Sequence, residues 1–366
     1  MKVAIVHYWL VSWRGGEKVI QQLLSIFPDA DLFVHVADDA VVQANLPNVN
    51  VTKTFIHKLP FSTKYYQKYL PLMPLALEQL DLTGYDLVIS SESGPAKFIT
   101  VSPNAMHICY CHSPMRYIWD MSHLYLSGSG PLFRVISRII IHYLKLTDRS
   151  SSLGVDQFVA NSSYISNRIE KCYRRSSKII HPPVAIEEFE VGYVKSDYYL
   201  YFGQLTRYKM PHLVVNAFRA SGKKLIVVGE GELIDELMKM ATPNIQILGR
   251  RPFNEVKELL SNARALIFPG VEDFGIVPVE SLACGTPVIA YGIGGVQDTL
   301  EDGNTGIFFY EQTESSLMNA IDRFEDVAEG FNPEKLRAKA EQYSADRFVS
   351  EFKQLVTELL GNKVWD

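Results

Sequence analysis

At 366 residues, 47% of them hydrophobic and 21% charged, the chain can form two domains that each bury a core, and it is too apolar to be disordered. Its formal net charge of -5 argues against broad nucleic-acid binding. Cys109, Cys111, Cys172 and Cys284 sit largely in apolar runs and read as buried, reduced thiols, and no apolar run is long enough for a transmembrane helix.

In chain order, the opening "MKVAIVHYWLV" reads as a strand, not a signal peptide, because a histidine interrupts it and no small-residue cleavage site follows. A cytoplasmic protein is therefore expected, resting at most on the inner face of the membrane. The apolar runs "KVAIVH", "DLFVHV", "VNVTKTFI", "DLVISS", "KFITV", "HICYC", "QFVANS" and "SKIIHPP" predict strands in the first half. Between the first two, "GEKVIQQLLSIFP" has helical spacing and ends at Pro28. In the second half, "YYLYFGQL", "KLIVVGEG", "NIQILG", "ALIFPG", "PVIAYG" and "GIFFY" repeat the pattern, separated mostly by helical segments. Near-continuous apolar strands alternating with helices predict parallel sheets covered on both faces. The fold class is α/β, with two doubly wound Rossmann-like domains. A double proline and a charged stretch at 182 to 196 mark the boundary. The expected domains are 1–183 and 184–345, followed by an amphipathic helix over 346–366.

In such sheets chemistry collects in loops after strands. "VVGEGELI" has Gly229 and Gly231 but Ile234 where a dinucleotide fingerprint needs its third glycine, so a dehydrogenase is not supported. A tight strand-to-helix turn explains this loop as well as ligand binding does. Gly15 and Gly16 follow the first strand and open a helix, where bare amides and the helix dipole suit a phosphate. "CYCH" at 109–112 lacks a second Cys/His cluster, so no zinc site is expected. The "DAD" pair Asp29 and Asp31 lies before a strand and reads as a turn.

"VEDFGIVPVESLACGTPVIA" places Glu272 and Glu280 with seven residues between them. Pro278 suits a helix's first turn and Gly285 its end, so Gly275, Ile276 and Val277 would present unpaired amides. Glu280 is then expected in that first turn and Glu272 on the loop before it. Carboxylates accept hydrogen bonds strongly from sugar hydroxyls, and amides at a helix start bind phosphate. Together they suggest a nucleotide sugar.

This segment resembles the donor-binding signature of retaining GT-B glycosyltransferases of glycosyltransferase family 4. "FGQLTRYKM", "VVGEGEL", "ILGRRP" and "DGNTG" have counterparts in order. The resemblance implies a GT-B fold whose two domains face a central cleft, with the donor on the second domain and the C-terminal helix returning to the first. It assigns Glu272 to the transferred sugar and Glu280 to the ribose. It gives the backbone of Phe274, Gly275, Ile276 and Val277 to the distal phosphate and sugar, and Gly15 and Gly16 to the diphosphate. Gly203 and Gly229 fall among the donor-binding loops, and Arg250 and Arg251 at the base-binding strand end. Lys209 matches the lysine that neutralises the leaving diphosphate; Gln204 stands where the partner arginine belongs, with Arg207 three residues on. His112 matches a histidine contacting the transferring sugar. No metal and no cofactor are implied.

"PLFRVISRIIIHYLKLTDRS" puts Arg134, Arg138, His142, Lys145 and Arg149 on one helical stripe, opposed by Val135, Ile136, Ile139, Ile140 and Leu144. "FIHKLPFSTKYYQKYLPLMPLAL" mixes Lys58, Lys64 and Lys68 with tyrosines. The segments 131–149 and 55–70 would suit an anionic membrane surface or be ordinary solvated faces. The "RYKM" region and the opening segment resemble bacterial mannosyltransferases of surface-polysaccharide assembly. The expectation is hexosyl transfer from GDP-mannose to a lipid-linked or oligosaccharide acceptor, as in O-antigen or capsule synthesis. The alternatives are a nucleotide-sugar 2-epimerase of the same fold and a non-catalytic nucleotide-sugar-binding protein.

Overall fold

A computed structural model describes residues 1–122 and 130–365; Asp366, the last residue of the expected tail helix, lies outside them. The chain divides into two compact units, Met1–Pro182 with Phe348–Asp366, and Pro183–Arg347. In the first unit β1 (Val3–Leu10), β2 (Asp31–Ala37), β3 (Val51–Lys53), β4 (Leu87–Glu92), β5 (Met106–Cys111), β6 (Gln157–Ala160) and β7 (Ser177–Ile179) form one sheet in the order β3-β2-β1-β4-β5-β6-β7. In the second, β8 (Tyr198–Phe202), β9 (Lys224–Val228), β10 (Ile245–Gly249), β11 (Ala265–Phe268), β12 (Val288–Tyr291) and β13 (Gly306–Phe309) are ordered β10-β9-β8-β11-β12-β13.

Every strand pair is parallel. Parallel strands need crossovers, and these helices cover both faces, which is why the strands are apolar on both sides. In β1, Val3 and Ile5 enter one buried cluster while Ala4 and Val6 enter another on the opposite face. The C-terminal helix Ala345–Leu360 buries Phe348, Phe352, Leu355 and Val356 in the cluster that holds Val3 and Ile5.

Two expected strands differ. "VNVTKTFI" keeps only Val51–Lys53, because Thr54 caps a 3-10 turn at Phe55–Lys58. "KFITV" forms no strand. Lys97 lies there fully buried, its Nζ donating to Glu92 Oε1 at 2.5 Å, to the Asp148 carboxylate and to the Tyr173 hydroxyl at 3.3 Å. Burial opposes the ammonium charge, but the Asp148 and Glu92 carboxylates more than offset it and hold the group above the usual lysine range. The expected strand thus begins on a buried charge where its pattern had been read as apolar.

His35 and His107 are buried in the first unit as neutral rings. His35 Nε2 donates to the Pro95 carbonyl (3.1 Å) while Nδ1 accepts from Thr54 (3.2 Å). His107 Nδ1 donates to the Gly154 carbonyl (3.2 Å) and Nε2 accepts from Ser90 (2.8 Å). Burial pushes both down to about 4, against the pull of those carbonyls. Between the unfolded value of 6.5 and about 4, the unfolded chain therefore binds more protons than the folded one. Stability should fall as pH drops through that window, by on the order of 1 kcal/mol per histidine for each pH unit. Urea unfolding across the window checks this; a midpoint for the first unit that does not move with pH would contradict it.

Candidate functional site

The strand order of the second sheet reverses between β8 and β11, so the loops after these two strands leave in opposite directions and part at the carboxyl edge. Lys209 follows β8 and Glu272 follows β11. Lys209 Nζ lies 2.5 Å from Glu272 Oε1, and both side chains are about four-fifths buried, being 20% and 19% exposed.

The sequence builds this pair locally. After β8 the chain runs beside the loop following β9, with Gly203 N donating to Val228 O (3.1 Å) and Leu205 N to Glu230 O (2.9 Å). A Cβ on Gly229 would stand 1.8 Å from the Gly203 carbonyl oxygen, so backbone packing explains this glycine without a ligand. A 3-10 turn, Arg207–Lys209, follows and ends at Met210 in the left-handed region (φ 56), with Pro211 opening the next helix. The Tyr201 hydroxyl donates to the carbonyls of Gln204 and Lys209, each at 3.3 Å, closing the turn from below. Burial pushes this hydroxyl far above the usual tyrosine range, and the Glu272 charge adds to it. Across the gap, the Glu272 carbonyl accepts from Gly295 N at 2.8 Å.

Gly275 (φ 93) caps the helix Ile276–Ala283, and Gly285 (φ 66) follows its end. The helix starts earlier than Pro278 suggested. Glu280 is its fifth residue, beyond the first turn, and is buried at 7% exposure. Phe274 turns its ring into the core against Tyr343, leaving only its backbone at the turn. Ile276 and Val277 open the helix, where amides lack intrahelical partners.

The other expected cations form no part of this ion pair. Arg207 is exposed and forms no ion pair among the described residues. Arg250 and Arg251 follow the edge strand β10; Arg250 approaches Glu230 at 3.6 Å and Arg251 approaches Glu255 at 3.9 Å, both on the exposed surface. Exposed pairs of this kind contribute little.

In the first unit the order reverses between β1 and β4. Gly15 and Gly16 open the helix after β1, and His112 directly follows β5. A Cβ on Gly16 would lie 2.5 Å from the Tyr8 hydroxyl and 3.8 Å from His112 Nε2, so the two expected positions are neighbours. The first turn is not wholly bare: Glu17 Oε2 accepts from Arg14 N at 2.9 Å. Behind His112 lies a chain that sequence reasoning missed. His112 Nε2 is 2.9 Å from Ser91 Oγ, which is 3.1 Å from His7 Nδ1; His7 Nε2 is 3.9 Å from Glu17 Oε1. Burial, with His7 adding, pushes His112 down to about 3. A polar ring in the middle of an apolar strand was the available signal for His7.

Among the described residues no cluster of three or more His, Cys, Asp or Glu side chains is arranged to hold a metal. Asp31 begins β2, at the opposite edge from the strand ends, and accepts from the Tyr85 hydroxyl at 2.7 Å. No described helix is long and apolar enough to cross a membrane. In the helix Pro131–Ser151 Leu144 is buried, Val135, Ile136 and Ile139 are exposed like Arg134, Arg138, His142 and Arg149, and Lys145 is half-buried. Spacing shows that a helix has an apolar side, whereas only packing decides whether that side is covered.

Residues 184–347, less than half of the chain, match the family model "Glycosyl transferases group 1". An uncharacterized glycosyltransferase of Methanocaldococcus jannaschii is 28% identical over 189 residues, which span 50% of this chain and 51% of that protein. An O-antigen chain mannosyltransferase of Salmonella typhimurium is 27% identical over 180 residues, 46% of this chain and 50% of that one. The chain thus spans about half the length of these relatives. The crystal structure of HepE of Anabaena with UDP is similar in fold, with a TM-score of 0.73 at 16% identity over 98% of this chain and 100% of that one. The two parallel sheets therefore have the GT-B class of α/β fold, and the Lys209–Glu272 pair lies within the segment 184–347 that matches the group 1 glycosyl transferase family model.

Proposed function

We propose that the chain is a retaining glycosyltransferase of family 4 that moves a hexose from a nucleotide-diphosphate sugar, mannose from GDP-mannose, onto a lipid-linked or saccharide acceptor in bacterial surface-polysaccharide synthesis. The observation that carries this is the Lys209–Glu272 contact at the strand-order reversal of the segment that matches the group 1 glycosyl transferase family model. Breaking the sugar–phosphate bond adds negative charge to the leaving diphosphate, and a fixed ammonium beside it lowers that barrier. With donor bound, Lys209 turns from Glu272 to phosphate, and the freed carboxylate accepts from sugar hydroxyls. The amides of Ile276 and Val277 add the positive end of their helix. Front-side attack, with the leaving phosphate taking the acceptor proton, needs no second carboxylate of the glycosidase kind. Lys209 supplies the cation, so no metal cofactor is assigned.

Mannose is favoured by the name of the Salmonella relative, while HepE was solved with UDP. Radiolabelled GDP-mannose and UDP-glucose, offered separately, distinguish the two. Slow hydrolysis of GDP-mannose without acceptor is expected, and Glu272→Ala should reduce it at least about a hundredfold. A 2-epimer as product, binding without turnover, or an unimpaired Glu272→Ala variant would each overturn the assignment.

The partner assigned to the helix Pro131–Ser151 is the anionic inner face of the cytoplasmic membrane, where the acceptor would reside. Exposed Leu132, Phe133, Val135, Ile136 and Ile139 would enter the interface while Arg134 and Arg138 meet headgroups. In the 55–70 segment Phe61 is 75% exposed, and Lys68 lies 4.2 Å from the Tyr65 ring centre. Each cation near such a surface contributes roughly 1 kcal/mol, so glutamine at Arg134, Arg138, Lys145 and Arg149 should weaken flotation with anionic liposomes by about tenfold or more. Unchanged flotation would contradict this partner.

A further inference from the structure

We propose that Glu17, His7 and Ser91 form a buried relay that fixes the tautomer of His112, with the proton on Nε2 and the lone pair on Nδ1. His7 lies in β1, fully buried, and the register pairs it with Ser91 of β4. The Ser91 hydroxyl stands between two rings, 3.1 Å from His7 Nδ1 and 2.9 Å from His112 Nε2. It has one proton, so it donates to one ring and accepts from the other. Two arrangements satisfy it, and they place opposite tautomers on His112.

Glu17 chooses between them. Its Oε1 is 3.9 Å from His7 Nε2, and no described group hydrogen-bonds that nitrogen. A lone pair facing a carboxylate in a site without solvent would be repelled, and an N–H would be attracted. His7 therefore carries its proton on Nε2 and leaves Nδ1 bare. Ser91 donates to that bare nitrogen, and its oxygen accepts from His112 Nε2–H. Glu17 itself is held in place: it is the third residue of its helix, at the positive end of the dipole, with Oε2 accepting from Arg14 N at 2.9 Å.

The backbone around His112 is equally fixed, its N–H donating to Glu92 O (2.8 Å) and its carbonyl accepting from Asn161 Nδ2 (3.0 Å). Tyr8 packs its ring 3.9 Å from the His7 ring and 6.5 Å from that of His112. No described residue hydrogen-bonds His112 Nδ1. His112 is then an acceptor presented in one orientation, and Ser91, His7 and Glu17 are positioning residues. The consequence for substrate rests on the glycosyl-transfer reading: Nδ1 would accept from a hydroxyl of the transferred sugar. A deoxy sugar lacking that hydroxyl would leave the lone pair unmatched and be discriminated against.

The tautomer is read directly by nitrogen NMR of the full chain labelled at its nine histidines, with His112 assigned by its loss in His112→Gln. At neutral pH, His112 should show a protonated Nε2 and a bare Nδ1. Ser91→Ala should move the Nδ1 signal toward the protonated position, and Glu17→Gln should move it the same way by less. A wild-type His112 protonated on Nδ1 would overturn the relay, as would unchanged His112 signals in both variants. No donor is needed, so this outcome is separate from that of Glu272→Ala: a failed transfer assay leaves the relay standing, and a wrong tautomer leaves the transfer assay standing.

Discussion

Parallel strands joined by helical crossovers send every following loop to the same edge of their sheet. Where the strand order reverses, neighbouring loops leave in opposite directions and cannot cover each other. The second sheet reverses between β8 and β11, and the two side chains brought together there, Lys209 and Glu272, are of opposite charge. The first sheet reverses between β1 and β4, and His7 and Ser91 sit side by side across that junction. In both units polar side chains meet where the strand order reverses.

The seam in the second unit is stiffened by backbone packed on backbone. Gly229 lies against the Gly203 carbonyl, and Gly270 lies beneath the 207–209 turn, where a Cβ would come within 3.2 Å of Lys209 Cα. The main chain that carries Lys209 is thus fixed, so the proposed donor would have only the side chain to reorient. The first unit reaches a similar end differently. There His112 is oriented through hydrogen bonds to Ser91, Glu92 and Asn161.

Much of the fold was legible because buried parallel strands have to be apolar, and the six runs named in the second half all became strands. The segment from Phe274 to Gly285 was readable for a similar reason: glycine at a positive φ and proline in a first turn are local requirements of a helix's two ends. What was missed depends on partners distant in sequence. The expected strand at "KFITV" does not form, and its Lys97 meets Asp148, 51 positions away. Ser91 acquires its role from His7, 84 positions away, through strand register alone. The exposed Val135, Ile136 and Ile139 have the spacing of a core face, and spacing carries no information about what covers them.

If the Lys209–Glu272 contact is a donor site held ready by the fold, a nucleotide-diphosphate sugar should bind without activation by a metal. Titration calorimetry with GDP-mannose in the presence of a chelator tests this most directly. Saturable heat is expected for the wild-type chain, with affinity lowered by Lys209→Met and by Glu272→Gln. Absence of heat with GDP-mannose and with UDP-glucose alike, or binding that both substitutions leave intact, would contradict it.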